Sequence, residues 1–503
     1  MCGILFYKKS EVNEIPDTTM LKIRGPDAYN EKSIGDYHFI FSRLAIICKE
    51  NKGIQPINLY NWNIICNGEI FNYLTLCDIF GIDKNLLESD IDIMLHLGVD
   101  NIYNWASKLN GDFSAILYNS ITCEYYVIRD PIGVRPLYVG YNKNKEPIAY
   151  SSVLAPISFC DSFEEFPPGN IYSSKNNIYI KYHSFNLNNY KFDSKDFVKK
   201  MIYSQLYESV YIRMVHTNVP IAFLCSGGID SSILLTIGTD IWTNRLGKSK
   251  NDLHCFTIEF IDTQCPSSDA FYATNLANEL GINHTVFSFT KQDIIENLED
   301  ILDVLETNDY KTVRASIPQY FLAKYISINT NYKVIISGEG ADELFLGYNY
   351  MSKCPSGRDA ENESERLINQ IYKYDVLRAD RTMSSWGLEL RVPFLDINFV
   401  ECVFNISGEL RNTNKEKEIL REAFEDYKVL KNTRILERNK EKFSDGCGLS
   451  YIPNLLKIMA SFYGINDCPS VHLLETYEKK YVSEYYKFHG KITDKLKERK
   501  LPN

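Results

Sequence analysis

Residues 219–238, VPIAFLCSGGIDSSILLTIG, decide how the larger part of this chain folds. An apolar run reads as a buried strand, small residues follow it, and from about Asp230 the pattern becomes helical. Ser226-Gly227-Gly228 is a bare backbone turn whose amides can wrap an anion, and the helix behind it points its positive end at the same place. No Gly-Lys-Ser/Thr follows the glycines, so this is not a Walker A loop. Ser231 and Ser232 add hydroxyl donors. An aspartate beside phosphates is repelled unless a cation bridges the two, so Asp230 reads as a Mg²⁺ ligand. The competing reading is a glycine-rich turn with a capping Asp or Ser.

The pattern repeats downstream. LHCFTIEF (253–260) reads as a strand, DAFYATNLANELG (269–281) as a helix, and HTVFSF (284–289) as a strand. YKVIISGEGADELFLGY (332–348) reads as a strand running into a loop. Strands alternating with helices predict a parallel, doubly wound sheet. Ser337 and Gly338 then sit where ligand loops occur, at the carboxyl edge, and Asp342 and Glu343 offer oxygen ligands or a helix N-cap cluster. Beyond about residue 360 the periodicity is mostly helical.

Upstream the chain is β-rich. YHFIFSRLAII (37–47), NWNIICNGEI (61–70), DFSAILYNS (112–120), EYYVIRD (124–130), PLYVGYN (136–142) and NIYIKYHSF (177–185) predict stacked antiparallel sheets. A polar stretch at 185–196 reads as a linker.

The 503 residues suit two large domains, and 45% hydrophobic with 24% charged residues is an ordinary globular composition. A net charge of -10 argues against a general nucleic-acid binder, which needs a basic footprint. No apolar run reaches membrane-spanning length. ILFY is too short for a signal-peptide core, and Lys8 and Lys9 follow it rather than precede it. Thirteen cysteines without CxxC pairs predict free thiols in the cytosol, and the eight histidines form no zinc motif.

Cys2 demands a base if it is a nucleophile, and the first third of the chain offers only His38 and His96, neither in a triad context. Removal of Met1 would leave Cys2 its own α-amino group, with a pKa of about 7.7–8.0. An N-terminal nucleophile carries its base with it. RGPD (24–27), SRLAII (42–47), GIQP (53–56), NGEIFN (67–72), SD (89–90) and RDPIGVRPLYVGY (129–141) follow in order. Together with Cys2 they resemble the glutaminase domain of class II amidotransferases, which are N-terminal nucleophile hydrolases. Singly, Asn67-Gly68 is a turn dipeptide, Arg43 a surface cation and Asp90 a helix cap. The resemblance implies an αββα domain over residues 2–188. In it Cys2 attacks the glutamine side-chain amide, with the Asn67 amide and the Gly68 N–H as oxyanion hole. It further implies that Arg43 pairs with the substrate carboxylate, that Leu44, Ala45, Ile46 and Ile47 line the site, and that Glu69 and Asp90 hold its amino and amide groups.

Residues 223–232, FLCSGGIDSS, resemble the PP-loop of ATP pyrophosphatases. SGEGADELFLGY (337–348), LETNDYKTVRASIP (305–318), RADRTMSSWGLELRVPFLD (378–396), KEKEILREAF (415–424) and RNKEKFSDGCG (438–448) extend the likeness to nearly the whole chain, which resembles the glutamine-hydrolysing asparagine synthetase family. That implies a parallel-sheet domain over 195–503 with a helical C-terminal part, in a homodimer. Leu224, Cys225, Ser226, Gly227, Gly228, Asp230, Ser231, Ser232, Ile258, Ser337, Gly338 and Glu339 would bind ATP, and Asp230 and Asp342 would hold Mg²⁺. Glu306, Asp309 and Arg314 would form the aspartate and intermediate site, with Glu306 and Lys417 catalytic. Ile23, Cys48, Ser152 and Cys225 depart from the family pattern; Ser152 lies where weaker communication between the domains is expected.

A carboxylate accepts ammonia only when its oxygen becomes a leaving group, which adenylation achieves. Ammonia made next door and passed through a protected tunnel escapes protonation; the tunnel is implied by resemblance alone. Two other readings stay open at this point: the same chemistry on another carboxylate acceptor, as in β-lactam synthetase relatives, and a non-enzymatic nucleotide sensor.

Overall fold

The computed structural model describes residues 1–12, 14–47, 52–185, 191–262, 267–307, 309–441 and 446–448. Cys48 and the lysine-rich C-terminal stretch lie outside the described residues. The N-terminal part holds two six-stranded antiparallel sheets. One runs Ser162–Glu165, Tyr138–Tyr141, Pro147–Ser151, Gly3–Lys8, Tyr37–Arg43, Ala28–Ile34. The other runs Ile178–Lys181, Asn170–Ser173, Tyr125–Arg129, Gly111–Asn119, Trp62–Ile70, Ile57–Leu59.

Side-chain alternation sorts these strands into layers. Ile4 and Phe6 enter the space between the sheets with Phe39, Phe41 and Ile65. Leu5 faces the other way, onto Leu21 of the helix Thr19–Arg24. Ile64 and Cys66 turn toward Leu76, Met94 and Trp105 on the helical segments beyond the second sheet. The result is the helix–sheet–sheet–helix stack that the resemblance implied.

The third sheet has five parallel strands in the order Asn283–Phe289, His254–Phe260, Ile221–Leu224, Val334–Ile336, Glu389–Arg391. Chain direction across the sheet reverses between Ile221–Leu224 and Val334–Ile336. The loops leaving these two neighbours therefore open into one crevice, the ligand position of doubly wound sheets. The fifth strand, Glu389–Arg391, interrupts a region whose periodicity reads as helical.

One hydrophobic core joins the two halves. Met1, Leu44, Ile46, Ile132 and Val134 from the first half pack into the same buried cluster as Ile221, Phe223 and Ile336.

Candidate active site

Cys2 stands at the end of Gly3–Lys8, a central strand of its sheet. Its thiol donates to the Leu44 carbonyl at 4.0 Å, and its own carbonyl accepts from Arg24 Nε at 3.0 Å. Burial pushes the thiol up, while the neighbouring N-terminal ammonium pulls the other way. The Met1 α-ammonium is buried 3.4 Å from Glu389, and its desolvation favours the free amine.

Asn67 is fully buried within the strand Trp62–Ile70, so the turn reading of Asn67-Gly68 does not hold. Neither Oδ1 nor Nδ2 of Asn67 has a hydrogen-bond partner. An orphaned buried polar group costs about 1–3 kcal/mol, so this amide is presented to something the fold does not supply. Gly68 has φ +142°, and a Cβ there would lie 2.0 Å from the Asp112 carbonyl oxygen, which leaves room only for glycine.

Most of the other residues that the resemblance assigned to glutamine are buried. Arg43 ends the strand Tyr37–Arg43 and is 7% exposed, not a surface cation. Leu44 and Ile46 are buried. The Ala45 N–H donates to Asp27 at 2.7 Å, and the carbonyls of Ile46 and Ile47 accept from Asn218. Asp90 accepts from the Ile70 N–H at 2.7 Å, and burial pushes its carboxyl up to about 7. Glu69 is pushed well up by burial, and Arg391, in contact with it, pulls it down.

The second centre lies in the crevice of the parallel sheet. Ser226 N donates to Ser231 Oγ at 3.2 Å, Ser231 Oγ donates to the Gly228 carbonyl at 3.2 Å, and Arg438 Nη1 donates to the Ser226 carbonyl at 2.8 Å. Gly227 has φ +66°, and a Cβ there would meet Tyr272 Cβ at 2.5 Å. The helix Ile229–Asp240 opens directly behind this loop. Leu224, Cys225, Ser226, Gly228, Asp230, Ser231, Ile258, Ser337, Gly338, Glu339 and Asp342 line one cleft. Ser232 is wholly buried and does not line the cleft, and Gly227 packs against Tyr272 rather than facing the cleft.

Lys417 approaches from beneath, with Nζ 2.6 Å from Asp230 and 2.5 Å from Asp342. Lys440 also contacts Asp342. Burial alone raises the Asp342 carboxyl, but the two lysines outweigh it and hold it below the usual carboxylate range. Asp230 Oδ1 is buried without a hydrogen-bond partner, so hard, unsatisfied oxygen donors fit a divalent cation.

The structure separates the expected acceptor residues from this cleft. Glu306 C-caps the helix Lys291–Leu305 with φ +46°. Its two oxygens accept from the N–H groups of Leu154 and Ala155 at 2.8 and 2.9 Å, and Arg381 lies 2.9 Å away. Asp309 N-caps the helix Tyr310–Asn329 by accepting from Thr312 N–H at 2.8 Å. Neither residue, nor Arg314, lines the cleft.

Its far wall joins Glu339 and Glu343, both read from the sequence, to Gln319, Tyr348, Asp375 and Arg378, which had no role assigned from sequence. Glu339 Oε1 accepts from Gln319 at 3.3 Å, and Gln319 Oε1 accepts from Arg378 at 2.7 Å. Arg378 also meets Asp375 at 3.0 Å, while Glu339 Oε2 stays buried and unpartnered. Tyr348 donates to Glu343 at 2.5 Å, and burial, reinforced by Asp375 and Asp342, raises the Glu343 carboxyl to about 8. RADRTMSSWGLELRVPFLD contained the signal in Arg378, but no spacing rule ties that residue to Gln319 across 59 positions.

Buried ion pairs connect the centres. Arg24 pairs with Asp380 at 2.6 Å, Arg213 with Asp112 at 3.6 Å, Arg391 with Glu69, and Met1 with Glu389. Ser152 does not cross the interface: its N–H and Oγ bond Ile4, the second residue after Cys2. Leu154 and Ala155, just beyond it, make the contact through Glu306.

Family models agree with this layout. A glutamine amidotransferase domain matches residues 1–168, and an asparagine synthase domain matches residues 201–367 and 352–463. The chain is 34% identical over 472 residues to asparagine synthetase [glutamine-hydrolyzing] 1 of Lotus japonicus, covering 90% of this chain and 79% of that one. It is 33% identical over 504 residues to a probable asparagine synthetase [glutamine-hydrolyzing] of Acanthamoeba polyphaga mimivirus, covering 92% and 89%. A probable asparagine synthetase [glutamine-hydrolyzing] of Dictyostelium discoideum is 34% identical over 489 residues, covering 90% and 86%. A cysteine at position 2, a buried orphaned amide, a glycine loop at a sheet crevice, and likeness along nine-tenths of the chain converge: this protein belongs to the family of glutamine-hydrolysing asparagine synthetases.

Proposed function

We propose that this chain makes asparagine from aspartate, ATP and glutamine, with residues 2–188 acting as glutaminase and 195–503 as synthetase. The observation that carries the reading is the buried, orphaned Asn67 amide in a chain that begins Met-Cys and also folds a phosphate-shaped loop. Loss of Met1 frees the Cys2 amine to take the thiol proton, and the thiolate attacks the glutamine amide carbon. Asn67 and the Gly68 N–H then donate to the oxyanion, typically the largest single electrostatic contribution. Ammonia leaves, and water hydrolyses the thioester to glutamate. Arg43, Glu69 and Asp90 orient glutamine, with Leu44, Ala45, Ile46 and Ile47 shaping the wall.

In the synthetase half, Ser226 to Ser231 cradle the phosphates and Ile258 lies against the base. The aspartate β-carboxylate attacks the α-phosphorus of ATP and pyrophosphate leaves, giving β-aspartyl-AMP. Ammonia attacks the acyl carbon and AMP departs. Asp230 and Asp342 would hold Mg²⁺, whose charge offsets the phosphates during their separation. Glu306 is the carboxylate assigned to the intermediate, and Glu339, with one oxygen buried without a hydrogen-bond partner in the cleft, is placed to receive a proton from attacking ammonia. Lys417 and Lys440 neutralise anionic charge at the same place.

We also infer a homodimer working in the cytosol, from the family resemblance and from the free thiols of every described cysteine. None of the described helices is long and apolar enough to cross a membrane. Cys2→Ala tests the division of labour: glutamine-dependent asparagine formation is expected to vanish while ammonium-dependent formation persists. Equal loss of both would refute the assignment of separate centres.

A further inference from the structure

Lys417 is an unusual N-cap. It precedes the helix Glu418–Ala423 with φ +52°, a left-handed backbone uncommon outside glycine, asparagine and aspartate. Its side chain is wholly buried, and Nζ stands between two carboxylates, 2.6 Å from Asp230 Oδ2 and 2.5 Å from Asp342 Oδ1. The second approach is a charge contact whose angle falls outside hydrogen-bond geometry. Gly347 clears the space for this arrangement: a Cβ there would meet Asp342 Oδ1 at 2.1 Å and Lys417 Cε at 2.3 Å. Lys440, on the wall of the cleft, closes on the other oxygen of Asp342.

An ammonium at these distances occupies the position a dication would need. Among the described residues no three His, Cys, Asp or Glu side chains form a ready metal site. Two carboxylates already neutralised by lysine are a poor seat for a bare cation. We propose that Lys417 is a built-in counter-cation that fills the seat between Asp230 and Asp342, so that a divalent metal enters with the nucleotide and not before it. This rests on reading Asp230 and Asp342 as metal ligands.

The charge balance works in both states. Without nucleotide, the lysine ammonium compensates the carboxylates. With it, Asp230 and Asp342 would hold the metal, and the freed Lys417 Nζ would turn to the phosphates as its new anion. Lysine suits this exchange because its charge is compact and its stem flexible, whereas a guanidinium fork would be held by its geometry. The two ligands must then favour each other's binding by the same factor.

Mn²⁺ read by electron paramagnetic resonance tests this with the full chain, with and without α,β-methylene-ATP, which cannot be cleaved at the relevant bond. In the wild type, the analogue is expected to tighten Mn²⁺ binding by about tenfold or more. In Lys417→Met, Mn²⁺ alone should bind about tenfold more tightly than in the wild type, with a smaller gain from the analogue. If Lys417→Met does not fold by circular dichroism, the wild-type comparison still decides: equal Mn²⁺ affinity with and without the analogue overturns the proposal. Asp342→Asn separates the underlying reading, because it should abolish analogue-dependent Mn²⁺ binding. Retention of that binding would remove Asp342 from the metal site and the proposal with it.

Discussion

Asn67 is the residue whose chemistry the fold most plainly leaves unspent, since both ends of its buried amide lack partners. Asn67→Ala should therefore lower the glutaminase kcat by about 10²–10³-fold with little change in the glutamine KM. Glutamate release measures it, and an unchanged kcat would make Asn67 a packing residue. Asp90 adds a pH signature. Its carboxyl sits up at about 7 because burial disfavours the charged form, yet holding a glutamine ammonium requires that form. Above pH 7 the site is charged and ready; below it, KM for glutamine should climb by up to about tenfold per pH unit. Asp90→Asn should give a high KM that is flat over the same range. Cys2, Asn67 and Asp90 were legible from ordered short motifs. Glu306 and Asp309 stand outside the cleft lining, as the C-cap of one helix and the N-cap of the next three residues on, and acids in such a loop look alike in sequence whether they bind substrate or backbone.

Among the elements, the strand–loop–helix at 221–240 was readable because a parallel strand buried on both faces is a continuous apolar run bounded by glycines. The strand Gly3–Lys8 was not read, although it is a central strand that presents Cys2; GILFYK is short, lacks alternation and ends in a charge. Glu389–Arg391 was invisible for the opposite reason. Two of its three residues are charged, and only tertiary partners, Glu69 and the Met1 ammonium, make them buried. The 226–228 turn supplies its own test. Gly227→Ala forces a side chain onto positive φ and against Tyr272, so ATP affinity should fall by about tenfold or more while glutaminase activity is kept. Unaltered ATP binding would show that the loop does not touch the phosphates.

At the scale of the whole molecule, the two halves share one apolar core and a set of buried ion pairs, so the domains are held as a unit. Such pairs contribute little net stability, but breaking one leaves an uncompensated charge costing about 3–5 kcal/mol. Glu306→Ala strands Arg381 and two backbone donors at this interface. It should lower Tm and depress glutamine-dependent synthesis more than ammonium-dependent synthesis. Equal losses would return Glu306 to the acceptor chemistry. The interface could not be read from sequence, because its partners lie hundreds of residues apart, as Arg24 and Asp380 do. The proposed reaction joins both centres in one turnover. Incubation with Mg-ATP, aspartate and amide-¹⁵N glutamine, read by mass spectrometry, tests it most directly. Labelled asparagine with stoichiometric AMP is the expected result. Glutamate and free labelled ammonia without asparagine would keep Cys2 as nucleophile and contradict aspartate as the acceptor.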